Sequence, residues 1–118
     1  MSGGYAGHGQ GWVGLPGSLE PETVVANRYF DGKGAFAGGG HQSVGGIDHW
    51  FKTTGTYKIG PGCDVTIEAT SIADGSTVPG KPGHWFGIVT SAGNIAYLTR
   101  TDRGYTTSTE FDRVVPQY

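Results

Sequence analysis

The chain has 118 residues, of which 23 are glycine and only 15% are charged, and its formal net charge is −2. That length fits one domain with a modest core, and the scattered cations of a slightly acidic chain exclude the basic footprint that nucleic-acid binding uses. One cysteine, Cys63, excludes an intrachain disulfide framework, and no window comes near the roughly 18 apolar residues a membrane helix needs.

Residues 1–19 (MSGGYAGHGQGWVGLPGSL) are dense in glycine and carry isolated apolar anchors, chiefly Tyr5, Trp12, Val13 and Leu15. Fixing such a backbone costs about 1–2 kcal/mol per residue, more than four side chains returning about 1.5–3 kcal/mol each can offset. Residues 1–22 are therefore expected to form an extended glycine-rich arm, ordered only against another surface, ahead of a β-rich body over 23–118. The start has neither a basic n-region nor an apolar h-region, so synthesis in a reducing cytoplasm without a signal peptide or transmembrane segment is expected.

Thr23–Phe30, β-branched and aromatic, predicts the first strand. The stretch 31–46 holds too many glycines for a regular element and reads as a loop carrying Phe36. Ile47–Lys52 and Thr56–Ile59 predict short strands, the second stopped by Gly60-Pro61-Gly62. Cys63–Ile72 is the clearest strand. Cys63, Val65, Ile67 and Ala69 alternate with Asp64, Thr66, Glu68 and Thr70, giving one buried and one wet face, with Cys63 as a small buried hydrophobe. A loop over 74–83 leads to His84–Thr90 and Asn94–Arg100, which flank Ser91-Ala92-Gly93 as an antiparallel hairpin. Tyr105–Glu110 and Phe111–Val115 predict one or two further strands. Without any sustained helical period, the fold class is all-β: an antiparallel β-sandwich, jelly roll or small barrel.

No constellation names a chemistry. His49-Trp50-Phe51 and His84-Trp85-Phe86 repeat a tripeptide, but His8, His41, His49 and His84 follow no metal-ligand spacing. Trp50 and Trp85 are expected to contribute heavily to a core or an interface. Asp64 and Glu68 share a strand face predicted to be solvated, which suits no carboxylate pair for hydrolysis. There is no GxSxG elbow, and GKGAFAGGG lacks the order and the helix of a phosphate loop. No catalytic residue, metal or cofactor is expected, and the chain does not read as an enzyme.

What remains is aromatic and aliphatic anchors in flexible settings: Tyr5, Trp12, Val13, Leu15, Phe36 and Tyr118, read as partner-binding residues. The function they predict is adhesive. The chain reads as a structural subunit of a large assembly, most simply a bacteriophage virion. There it would act as a capsid decoration or cement protein, holding copies of itself and a major capsid protein by protein–protein contacts. The alternatives are a small glycan- or receptor-binding β-module at a tail or fibre tip, and a subunit of an extracellular filament. Neither nucleic acid nor membrane is an expected partner.

Overall fold

The computed structural model describes all residues except 74, 77 and 116–118. Eight strands follow one another around a closed antiparallel barrel: β1 (Ser2–Val13), β2 (Glu20–Asp31), β3 (Ala35–Val44), β4 (Ile47–Ile59), β5 (Asp64–Ala73), β6 (Gly83–Thr90), β7 (Ile95–Arg100) and β8 (Tyr105–Val115). The small barrel is thus the all-β form adopted. A three-residue 3-10 turn at Ser91–Gly93 is the only helical element among the described residues, and no helix is long and apolar enough to cross a membrane.

The N-terminal segment expected as an arm is a wall strand. β1 pairs with β2 from Ser2↔Asp31 to Val13↔Glu20 and, on its other edge, with β8 from Gly4↔Val115 to Val13↔Tyr105, with a register shift at Gly4/Tyr5. Two rows of ladder hydrogen bonds supply what four side chains could not. The boundary placed after residue 22 falls inside β2, so 1–22 and 23–118 are parts of one barrel. The expected loop over 31–46 is likewise mostly strand: β3 pairs with β2 (Phe30↔Phe36 to Glu22↔Val44) and with β4.

Sterics explain why so many glycines sit in these strands. An added Cβ at Gly11 would collide with the Thr106 carbonyl oxygen, at Gly38 with that of Asn27, and at Gly87 with that of Tyr97. None of these three has a positive φ. What each permits is close approach of the neighbouring backbone where the sheet bends sharply, the usual device for curling a sheet into a narrow barrel.

One end of the barrel is packed solid. Phe30 meets Tyr5 edge-on (centroids 5.2 Å, 83°) and Tyr57 likewise (5.0 Å, 88°), and lies 5.2 Å from Phe36. Such aromatic pairs contribute about 0.5–1.5 kcal/mol beyond their buried area. The Tyr57 hydroxyl donates to the Met1 carbonyl at 2.7 Å, and the Tyr5 hydroxyl donates to the Gly93 carbonyl while accepting from Arg113 Nη2 at 3.1 Å. Val65, Ile67, Ala96, Leu98 and Phe111 complete this buried cluster.

One local expectation is corrected, and the positions of two others are fixed. Cys63 is exposed with φ 62°, in the turn before β5, because the chain must reverse there; the inward face of β5 begins at Val65. The hairpin of β6 and β7 forms as expected, with Phe86, Ile88 and Tyr97 outward and Gly87, Ala96 and Leu98 inward. Trp50 is 62% exposed, edge-on to His41 on the outer wall.

Candidate functional site

The other end of the barrel is hollow. Above the aromatic floor a cavity of about 520 Å³ opens, lined by β2, β4, β5, β6, β7 and β8 with Phe36 and Gln42 of β3, while the glycines of β1 lie close against the backbone of β8. Its mouth is ringed by the β5–β6 and β7–β8 connections, with Gly80, Lys81 and Pro82 from the first and Asp102 and Arg103 from the second. That volume lies within the roughly 300–1,000 Å³ typical of small-molecule sites.

β2 supplies the chemistry by simple alternation. Its inward residues are Glu22, Val24, Ala26, Arg28 and Phe30, read from mouth to floor. Arg28 therefore sits directly above the aromatic plug. Its guanidinium carbon lies 5.6 Å from the ring centre of Phe111, 5.8 Å from Phe51 and 5.9 Å from Phe36. Arg28 Nη1 donates to the carbonyls of Asn27 (2.8 Å) and Gly39 (3.4 Å), and no carboxylate among the described residues pairs with it. Burial lowers its pKa to about 10, which still leaves it charged at neutral pH.

Above Arg28 the wall is mainly apolar, through Val24, Ala26, Ala69, Leu98, Trp85 and Ala73, interrupted by the hydroxyls of Ser71, Thr107 and Thr109. Charged groups return at the rim. Glu22, 5% exposed, accepts from Gln42 Nε2. Arg100 lies 4.8 Å from the Trp85 ring centre and 3.5 Å from that of Tyr105, and donates from Nε to Asp102 at 2.9 Å. Asp102 also meets His84 Nδ1 at 2.8 Å, and His84 Nε2 lies 3.2 Å from Glu68. This chain of contacts ties β5, β6 and the β7–β8 turn together on the outside of the mouth. Burial works against the Asp102 carboxylate, but the hydrogen bonds from His84 and Arg100 outweigh it and hold its pKa at about 2. The Asp102 hydrogen bond raises the His84 pKa above its ordinary value.

The cavity is a positive site in an acidic protein. Arg28, Lys81, Arg100 and Arg103 face only Glu22 and Asp102 across it, a balance of +2, whereas the chain as a whole carries −2. Anions are drawn towards such a mouth and retained in a low-dielectric lumen.

The residues expected to bind partners are dispersed. Tyr5 and Phe36 are buried in the floor at 1% and 5% exposure. Trp12 and Leu15 are about half exposed, and Val13 ends β1 beside them, all near the β1–β2 connection at the mouth end. Tyr118 lies outside the described residues. His49 lines the cavity near the mouth while His84 is on the outer rim two strands away, so the two do not meet. Among the described residues no group of three or more His, Cys, Asp or Glu could hold a metal ion. Asp64 and Glu68 fall on the outer face of β5, as expected.

The residues that sequence reasoning missed are Arg28, Phe51 and Phe111; Trp85, expected to contribute to a core or an interface, packs against the buried cluster and lines the cavity. The signal for the first was present: with Val24, Ala26 and Phe30 inward on a period-two strand, Arg28 is a cation on the apolar side. Comparison with protein-family models, curated proteins and solved structures finds no match, so the functional reading rests on this geometry.

Proposed function

We propose that the chain is a small-molecule-binding barrel that holds an organic ligand in its lumen without transforming it. The observation that carries this is the hollow itself: a cavity of about 520 Å³ closed below by an aromatic plug and open at one end. An eight-stranded barrel has an interior that side chains can just fill or that can hold one small ligand, and here the space above the plug is left open. The adhesive virion reading drew on a free arm and on exposed anchors; that segment is paired on both edges, which removes the first of these supports. The ligand-binding alternative is the one the geometry supports, with the ligand inside the wall instead of a glycan across surface loops.

A neutral fluorescent probe, N-phenyl-1-naphthylamine, tests it. Saturable binding of one probe per chain is expected, lost in Ala69→Trp and Ser71→Phe, which fill the lumen from β5. Unchanged binding in both filled variants, with far-ultraviolet circular dichroism intact, would place the probe on the outer surface and refute the reading.

A further inference from the structure

We infer that the ligand is an amphiphilic carboxylic acid bound head-down, its carboxylate on Arg28 at the bottom of the lumen and its apolar body rising towards the mouth. This rests on the lumen being the binding site and adds the identity and orientation of the occupant.

Three observations converge on it. Arg28 has five N–H donors, and only Nη1 is taken by protein, at the Asn27 and Gly39 carbonyls. No described residue accepts from Nε or Nη2, and no side-chain nitrogen sealed from solvent lacks a partner among the described residues, so these donors border the lumen. The free Nε/Nη2 edge is the planar fork that matches both oxygens of a carboxylate.

The surroundings determine what may follow the head. The rings of Phe36, Phe51 and Phe111 bracket the guanidinium, holding it in place and excluding water from an ion pair formed there. Above it Val24, Ala26, Ala69, Leu98 and Trp85 offer contact to hydrocarbon, with the hydroxyls of Ser71, Thr107 and Thr109 between them, a lining more apolar than polar that suits an alkyl or aryl body.

The charge pattern favours the same orientation. Arg100 is already occupied by Asp102 and by the faces of Trp85 and Tyr105. Arg28 has no acidic partner among the described residues. Lys81 and Arg103 at the entrance draw the anion in, and Arg28 is the cation beyond the apolar belt that remains free to pair with it.

The test displaces N-phenyl-1-naphthylamine with decanoate and with decanol at neutral pH, in the unmodified chain and in Arg28→Met and Arg28→Lys. Decanoate is expected to bind at least tenfold more tightly than decanol, the preference to vanish in Arg28→Met while decanol is unaffected, and to return in part in Arg28→Lys. Equal displacement by acid and alcohol, or a preference that survives Arg28→Met, overturns the inference and leaves the lumen reading standing; failure of the neutral probe to enter the lumen refutes both. Should Arg28→Met not fold, the unmodified complex still decides. Nuclear Overhauser contacts from the methylene next to the decanoate carboxylate to the rings of Phe51 and Phe111 are expected. Contacts from the terminal methyl in their place would mean a head at the mouth and would overturn the orientation.

Discussion

Single residues show how this barrel converts absence into structure. Gly38 and Ala37 are neighbours on β3, one inward against the Asn27 carbonyl and one outward in solvent. Gly38→Val should destabilise the chain by about 3 kcal/mol or more, because the clash is with backbone that cannot step aside, whereas Ala37→Val should change stability by about 0.5 kcal/mol or less; denaturant midpoints of the two variants measure the contrast. At the rim, His84 and Asp102 make a pH-dependent fastening. The raised His84 pKa means its contribution is complete below its ordinary value of 6.5 and is lost as pH rises through the higher folded value. The lowered Asp102 pKa means its contribution is complete above the ordinary 3.8 and is lost as pH falls towards about 2. Thermal midpoints should therefore be highest between roughly pH 4 and 6.5, and Asp102→Asn should remove most of the decline on the alkaline side. An unchanged pH profile in that variant would assign the decline to other groups.

At the scale of elements, β1 and β3 are the instructive strands. Both carry the alternation of a half-buried strand, but their inward positions are largely glycine, so the pattern reads as glycine against polar instead of apolar against polar. That is why β2, β5 and the β6–β7 hairpin were legible from sequence and β1 and β3 were not. Hydrophobicity alone does not set the phase of that hairpin, since Phe86, Ile88 and Tyr97 decorate the outside of β6 and β7 while Gly87 and Ala96 face in. The lumen was invisible for a different reason: its lining comes from seven strands and is brought together only when the barrel closes, so no local motif marks it. One consequence separates a wall strand from an arm. Removing residues 1–13 would strip the ladder partners from both β2 and β8, so the remaining chain should lose cooperative unfolding and near-ultraviolet dichroism instead of surviving as a folded body.

Across the whole molecule, charge and connectivity are arranged around the hollow. With +2 gathered at the cavity, the other four Lys/Arg and eight Asp/Glu leave the rest of the chain at −4. Every neighbouring pair of strands is also a neighbour in sequence except one, the seam between β1 and β8. The seven consecutive pairings require only short loops to close, which is entropically cheap; the seam joins Gly4 to Val115 across nearly the entire chain. The seam therefore carries the largest loop-closure cost of the eight pairings. With β8 detached from β1 the sheet would be an open ribbon with two bare edges, and its lumen only a concave face. A ligand spanning from Arg28 on β2 to Phe111 on β8 would bear on both sides of that seam at once, acting as the template on which the last closure is made.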